Sequence, residues 1–125
     1  MMGSLSPTQR TLKALRAKGY TCAIVERWNA YAKIRQDLFG FIDIIALDPT
    51  RGVVGVQSTG TAFAQHDRKL TQERRDICLT WITTPGAHIE LWGWRKVKVK
   101  RGGLAMRYEP RVKVYTVADF CDDEF

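Results

Sequence analysis

Apolar positions near the start of the chain change from a helical spacing to a strand spacing. The segment SPTQ, residues 6–9, combines a capping serine, a proline suited to the first turn and a glutamine that completes a capping box. Leu12 and Leu15 follow on one face, so the pattern predicts a helix over residues 6–18. The run YTCAIVERW, residues 20–28, is rich in aromatic and β-branched residues and predicts a strand. Because this run is apolar on both faces, we expect it at the centre of its sheet.

The middle of the chain continues the strand pattern and then returns to a helical one. Residues 40–47 and 53–59 are rich in strand-forming residues, and the short turn between them predicts an antiparallel hairpin. Residues 29–37, NAYAKIRQD, are polar and predict a connection without regular structure. Between residues 62 and 82 the apolar positions recur on one helical face, which predicts a helix.

The last third of the chain has the pattern of a sheet with a basic extension. Residues 87–94 predict a strand, and the segment after it alternates lysine with valine before a turn at Gly102 and Gly103. Residues 111–117 extend the sheet pattern. The element order is αβββαβ followed by a basic C-terminal β-hairpin, and 125 residues are enough for one domain spanning residues 1–125. The pattern predicts an α/β fold built on a mixed β-sheet.

Charge adds a prediction about the partner. The formal net charge is +7 and the isoelectric point is about 9.6. Eight lysine or arginine residues lie between Arg95 and Lys113, a segment with Glu109 as its single acid. Charge concentrated in this way predicts a polyanionic partner, most often a nucleic acid. The residues predicted to contact nucleic acid are Arg35, Arg68, Arg95, Lys96, Lys98, Lys100 and Arg101.

Two features of the basic segment allow a second interpretation. Trp92 and Trp94 could stack on unpaired bases, or they could pack in the core as tryptophan usually does. The lysines could follow a phosphate backbone, or they could protect an edge strand from aggregation. The sequence leaves both alternatives open.

Cysteine usage and the N-terminal sequence bear on the compartment. Cys22, Cys78 and Cys121 are an odd and scattered set without metal-binding spacing, so we expect reduced thiols and no zinc site. The N-terminal residues show no apolar signal core, and no apolar run approaches the length that spans a bilayer. We therefore expect a cytoplasmic protein without a membrane partner.

One carboxylate lies inside an apolar run. Asp43 belongs to the predicted strand 40–47, and side-chain alternation allows it to lie beside Gln57 on the next strand. Glu26 is a third polar residue in an apolar strand pattern. Converging carboxylate and carbonyl oxygens are the ligands that Mg²⁺ prefers, which predicts a metal site. The alternative is that Asp43 makes a structural hydrogen bond or ion pair, with Arg35 or Arg27 as its partner.

This pattern resembles a known family. The element order, with FGFIDIIAL followed by GVQST on the next strand, is similar to the PD-(D/E)XK nuclease superfamily, in particular to its small phage and prophage proteins related to Holliday-junction resolvases. The resemblance covers roughly residues 8–96. It implies a restriction-endonuclease-like core, metal-dependent hydrolysis of DNA, which includes branched or recombination DNA, and a homodimer like that of many branched-DNA nucleases.

The resemblance also implies roles for individual residues. Asp43 matches the metal-binding aspartate of the second core strand, and Glu26 matches an acid that some members carry before it. Gln57 stands where the family has its second acid, and it would bind the metal through its carbonyl oxygen together with the main-chain carbonyl of Ser58. The implied cofactor is Mg²⁺, with Mn²⁺ as the alternative.

The catalytic lysine of the family has no counterpart at its usual position. Thr59 stands in that place and cannot supply a positive charge. Lys69, on the following helix, is the residue we expect to replace it, with Arg68 as the second choice and a solvent-exposed helix face as the alternative for Lys69. Asp37 and Arg35, on the approach to the second strand, are interpreted either as contacts to substrate or metal or as a local ion pair.

Three functions follow from these observations. The first is a metal-dependent DNA endonuclease in which Asp43, Gln57, Lys69 and Glu26 form the catalytic site. The second is a catalytically degenerate DNA-binding module on the same fold, because Gln57 is neutral and Thr59 replaces a lysine. The third is a small interaction protein whose basic face binds an acidic protein.

Overall fold

The structure, a computed structural model, describes residues 5–121 and has an α/β fold with a mixed five-stranded sheet, which confirms the predicted class. Three α-helices accompany the sheet within residues 5–121: α1 (Pro7–Ala17), α2 (Phe63–Arg68) and α3 (Arg75–Thr83). A π-helical turn, Lys69–Glu73, joins α2 to α3, and a 3-10 turn, Val117–Phe120, follows the last strand.

The strands are short at the start of the chain and long at its end. They are β1 (Thr21–Ile24), β2 (Arg27–Asn29), β3 (Ile34–Gln36), β4 (Ile44–Asp48), β5 (Gly52–Thr59), β6 (Ala87–Lys98) and β7 (Met106–Val114). The main sheet has the order β1-β4-β5-β6-β7, in which only β5 and β6 are parallel. The β4–β5 pair is antiparallel, as its short turn predicts. The strands β2 and β3 form a separate two-stranded hairpin.

The first helix covers one face of the sheet. Its capping box is formed, with the Ser6 hydroxyl accepting from the Gln9 N–H and the Gln9 side chain accepting from the Ser6 N–H. Leu15 is buried and packs with residues of the three central strands, among them Val56 and Trp92. The helix therefore begins where the sequence signals it and is held by apolar burial along one stripe.

The opposite face of the sheet is covered by the second helical segment. Leu70 and Cys78 are fully buried there against Ile89 and Leu91 of β6. The predicted continuous helix is instead interrupted, because the Arg74 N–H donates to the Lys69 carbonyl in an i→i+5 hydrogen bond. This π-helical turn changes the direction in which the side chains on either side of it point.

Two predictions about the region before β4 are wrong. The predicted strand 20–28 ends at Ile24, and β1 is an edge strand that pairs only with β4 among the described residues. Most of its side chains are exposed, because an edge strand has a neighbour on one side only. The polar segment NAYAKIRQD forms most of the β2–β3 hairpin, so Glu26 lies in the link between β1 and β2 and not within a strand.

The sheet extends beyond its core at one end. Gly93 of β6 is opposite Thr59, the last residue of β5, and β6 then continues to Lys98 paired with β7. Five further residues at about 3.3 Å each project roughly 16 Å past the end of β5. We call this projection, residues 95–109, the basic arm. Within residues 5–121, no helix has the length and apolar character needed to cross a membrane.

Candidate functional site

The candidate site begins where β4 starts and β5 ends. Asp43 directly precedes β4, and the pairing of Ile44 with Val56 places it opposite Gln57. Its Oδ2 accepts hydrogen bonds from Gln57 Nε2 at 2.6 Å and from the Ser58 N–H at 2.8 Å. Asp43 and Gln57 are only 3% and 2% exposed. Strand alternation alone brings these side chains together, because antiparallel neighbours point to the same face.

Two residues from other parts of the chain complete a polar network. Asp37, in the link between β3 and β4, accepts from Gln57 Nε2 through Oδ2 at 3.3 Å. Lys69, at the start of the π-helical turn, donates from Nζ to Asp37 Oδ2 at 3.3 Å and to Gln57 Oε1 at 3.1 Å. The π-helical turn therefore brings a positive charge to the end of the sheet where the family resemblance expects a lysine, while Thr59 is buried.

Glu26 adds a third carboxylate at the edge of this network. One oxygen from each of Glu26, Asp37 and Asp43 lies within 4.8 Å of the other two, and we call these residues the carboxylate cluster. Arg35 donates from one guanidinium nitrogen to Glu26 Oε1 at 3.2 Å, while most of the Arg35 side chain is exposed. Arg35 thus pairs with Glu26 and not with Asp43, whose hydrogen bonds go to Gln57 and Ser58.

Burial and crowding separate the protonation behaviour of the two aspartates. Burial raises the pKa of Asp43 to about 8, and the neighbouring Asp37 carboxyl contributes to the increase. Burial also acts to raise the pKa of Asp37, but the hydrogen bond with Asp43 and the positive charge of Lys69 outweigh it, so this pKa is lowered. Near neutral pH the pair therefore holds one proton, on Asp43, when no cation is bound.

The residues present fit a hard divalent cation. The carboxylate cluster supplies oxygen ligands, which Mg²⁺ and Mn²⁺ prefer, and a cation there would favour the ionised form of Asp43. Ser58 lines the same cleft as the cluster, and its buried hydroxyl has no hydrogen-bond partner among the described residues.

The orientation of Gln57 differs from the expected one. Its amide NH₂ group faces Asp43 and Asp37, and its carbonyl oxygen accepts from Lys69. The carbonyl therefore does not point into the carboxylate cluster, and Asp37 provides the third oxygen instead. Ser58 approaches Asp43 through its backbone N–H. The amide orientation follows from its partners, because two carboxylates require a donor and an ammonium group requires an acceptor.

Two adjoining clefts expose the network to solvent. The acidic cleft, of about 430 Å³, contains the carboxylate cluster together with Ser58 and His66 in its lining. The basic cleft, of about 670 Å³, has Asp37 as its single acid. Its positively charged lining residues are Arg27, Arg35, Lys69 and Arg74. Asp37 and Arg35 line both clefts, so a chain of phosphates in the basic cleft would run directly past the carboxylates.

The other predicted nucleic-acid contacts lie farther from the carboxylates. Arg68 is exposed on α2 and is not part of the lining of either cleft. Arg95 lines a separate cleft with Trp94 and Arg111. The remaining predicted contacts are exposed on the basic arm: Lys96, Lys98, Lys100 and Arg101. The arm projects from the same end of the sheet as the carboxylate cluster, because the end of β5 adjoins both.

The tryptophans of β6 pack in the core. Trp92 is buried and donates from Nε1 to Glu90 Oε1 at 2.9 Å. Trp94 is half-buried and donates to the Thr11 hydroxyl at 2.8 Å. Both rings pack beneath α1, and Trp94 also lines the cleft that contains Arg95 and Arg111.

Three contributors to the site were not predictable as such from the sequence. Asp37 was interpreted as a contact to substrate or metal or as part of a local ion pair, and in the structure it accepts hydrogen bonds from both Gln57 and Lys69. Arg27 and Arg74 were not singled out as lining residues, although both belong to the basic cleft. No local pattern marks them, because one lies on a hairpin outside the main sheet and the other follows the π-helical turn.

No protein-family model, curated protein or solved structure matches this chain.

Proposed function

We propose that this protein is a metal-dependent nuclease that hydrolyses phosphodiester bonds of DNA on a restriction-endonuclease-like core. The observation that carries the proposal is the carboxylate cluster with Lys69 at its side, set between an acidic and a basic cleft. Hard oxygen ligands next to a fixed ammonium group are what phosphodiester hydrolysis needs. The order and pairing of α1, β1, β4, β5, the second helical segment and β6 support the proposed core.

Each residue of the network would have a separate task. Glu26, Asp37 and Asp43 would hold Mg²⁺ or Mn²⁺ through their carboxylate oxygens. Bound at such a site, the cation supplies Lewis-acid catalysis, because it activates a water nucleophile and offsets charge on the phosphate. Lys69 would stabilise the charge that develops on the scissile phosphate, and its partners Asp37 and Gln57 hold it in place.

The distribution of positive charge supports a nucleic-acid substrate. The basic cleft lies next to the carboxylates, and the basic arm extends the positive surface roughly 16 Å past the end of β5. Arginine and lysine side chains in such positions bind phosphates without reading sequence. We therefore expect binding that weakens strongly as the salt concentration rises.

Cleavage assays test the proposal directly. Plasmid, linear duplex, branched DNA and duplex RNA are incubated with the protein in Mg²⁺, Mn²⁺ or EDTA. We expect cleavage of DNA that requires the cation and is lost in Asp43→Asn and in Asp37→Asn. Lys69→Met should retain metal binding in calorimetric titration but lose at least tenfold in cleavage rate, since its charge acts on the phosphate.

The control is an acid outside the site. Asp76 is exposed on α3 and lines neither cleft, so Asp76→Asn should cut at the wild-type rate. If no substrate is cut under any condition, or if the Asp43→Asn preparation cuts as well as the wild type, the protein is not a nuclease of this kind.

One observation favours a second function, DNA binding without hydrolysis. Asp43, Gln57, Lys69 and Asp37 form hydrogen bonds with one another, so most of the site's polar groups already have protein partners. In that case calorimetry would detect no Mg²⁺ binding, and DNA binding would be salt-dependent and unchanged by EDTA.

A further inference from the structure

The β2–β3 hairpin exposes large apolar side chains that the core does not use. Trp28 is 60% exposed and Tyr31 is 102% exposed, and Ile34 beside them is also exposed. Side chains of this size are normally packed, and a cluster of them on an element next to a functional cleft indicates a binding surface. The hairpin pairs only with itself among the described residues.

The turn of the hairpin is ordered by its own hydrogen bonds. Asn29 Oδ1 accepts from the Tyr31 N–H at 3.0 Å and from the Ala32 N–H at 3.1 Å. Lys33 has a φ of 54°, a left-handed conformation that a lysine adopts at some cost in energy. The backbone of the turn is therefore held in one shape, and this shape presents Tyr31 at its tip. An ordered backbone reduces the entropy that the turn loses when a ligand stacks on Tyr31.

The charge of the hairpin is complementary to an anion. Residues 27–36 contain three basic side chains and no acid. Arg27 lines the basic cleft, and Trp28 is directly opposite Arg35, whose guanidinium contacts the carboxylate cluster through Glu26. Trp28 and Tyr31 line neither cleft, but they belong to the same hairpin as two arginines that line the basic cleft.

These observations distinguish between kinds of partner. A second copy of the chain would place two hairpins of the same charge against each other, which is unfavourable. A continuous duplex offers phosphates to the arginines, but its stacked bases present no free face to a ring. An unpaired nucleotide offers both a phosphate and a free base face, and aromatic rings interleaved with basic side chains are the common means of binding it.

We propose that the β2–β3 hairpin binds unpaired bases by stacking them on Tyr31 and Trp28, next to the candidate nuclease site. The substrate is then a nucleic acid with unpaired bases beside a duplex segment that the basic cleft and basic arm hold. This inference deepens the proposed function by naming the substrate class of the same site, and it rests on that function for the identity of the neighbouring cleft.

Binding in the absence of metal separates the two proposals. Fluorescence anisotropy in EDTA compares a duplex with the same duplex carrying a short unpaired segment. We expect wild type to prefer the second substrate, and Tyr31→Ala or Trp28→Ala to weaken its binding by about 5- to 150-fold for each stacked base lost. Duplex binding should change less than twofold. Tyr31→Phe should retain the preference, because the ring remains.

A matched variant and a spectroscopic signal complete the test. Leu47 is 47% exposed on β4 and lines neither cleft, so Leu47→Ala removes an exposed apolar side chain outside the proposed binding surface and should leave binding unchanged. A 2-aminopurine in the unpaired segment should be quenched by wild type and by Tyr31→Phe, and not by Tyr31→Ala. Thermal melts should show unchanged folding, since these side chains are exposed.

The possible failures can be told apart. If Tyr31→Ala and Trp28→Ala bind the unpaired substrate as tightly as wild type, or if wild type shows no preference for it, the inference is wrong even when DNA is cleaved. If the same variants shift a monomer–dimer equilibrium in sedimentation and leave binding unchanged, the hairpin is a self-association surface. If the preference depends on the rings but no cleavage is ever detected, the inference stands and the nuclease proposal fails.

Discussion

The buried Asp43 carboxyl leads to a prediction in which stability and activity change in opposite directions. In EDTA, Asp43→Asn should stabilise the protein above neutral pH while abolishing metal binding and cleavage. The substitution keeps the shape of the side chain and retains an oxygen for the hydrogen bonds from Gln57 and the Ser58 N–H. The introduced amide nitrogen can donate toward the ionised Asp37 carboxylate. No charge is then left in the buried site at Asp43.

The direction of this stability change follows from how many protons the folded and unfolded states bind. Between about pH 4 and pH 8, unfolded Asp43 is ionised while folded Asp43 is protonated, because its folded-state pKa is raised to about 8. The folded state therefore binds more protons, and the free energy of unfolding of wild type decreases as the pH rises through this window. The stability that the raised pKa of Asp43 contributes is fully present below pH 4 and lost by pH 8 to 9.

The pKa shift of Asp43 sets an upper limit on the change in the free energy of unfolding. A rise from about 4 to about 8 corresponds to roughly 5 kcal/mol of cost for ionising Asp43 in the folded state. Asp37 shifts in the opposite direction and offsets part of this cost. We expect Asp43→Asn to gain about 1–3 kcal/mol at pH 8.5 and close to nothing at pH 4.5, or roughly 4 °C in Tm for each kcal/mol.

Urea and thermal unfolding at several pH values provide the assay, with EDTA in every sample. Asp37→Asn is the matched comparison, because it removes the ion pair with Lys69 and should destabilise the protein at pH 8.5. Both variants should fail to bind Mg²⁺ in calorimetry. A destabilised Asp43→Asn at pH 8.5, or one with the pH dependence of wild type, would refute the assignment of a protonated, burial-shifted carboxyl.

Further predictions concern the scaffold. Ser6→Ala removes the helix cap and should lower the free energy of unfolding in urea by about 1 kcal/mol, with Ser6→Asp retaining most of it. Gly93→Ala places a methyl group 2.6 Å from a Phe63 ring carbon and should lower it by about 1–3 kcal/mol, an effect that Phe63→Leu should reduce. Hydrogen bonds from the Arg51 side chain and the Thr50 N–H lower the pKa of Asp48 to about 2, so stability should fall between pH 4 and pH 2, and Arg51→Met should reduce this dependence in acid titration.

Local signals in the sequence predicted the elements whose determinants are close together in the chain. The SPTQ segment marks the start of α1, and the structure forms the capping box it predicts. The short turn between β4 and β5 gives the antiparallel pair, and strand alternation then places Asp43 opposite Gln57. These features depend on hydrogen bonds and periodicities that span only a few residues, so they can be predicted from one sequence.

The β2–β3 hairpin shows where local reasoning failed. The apolar residues of NAYAKIRQD do not form a core face and are mixed with polar ones, so the pattern predicts a connection. It is ordered by an asparagine side chain that accepts two backbone N–H groups and by pairing with its own neighbour. The prediction for the first strand failed for the opposite reason. Its apolar residues predict burial on both faces, but its position at the edge of the sheet leaves most of its side chains exposed.

The sequence by itself determined the α/β class, the ends of α1, the β4–β5 pair and the juxtaposition of Asp43 with Gln57. Only the tertiary structure decided that Lys69, 32 residues after Asp37, reaches that carboxylate, and that Lys69 rather than Arg68 does so. It also decided that the Gln57 carbonyl accepts from Lys69, and that Asp37, and not Gln57, supplies the third oxygen of the carboxylate cluster. The physical reason is that one π-helical turn and one link outside the main sheet set these directions, and packing across the whole domain determines both.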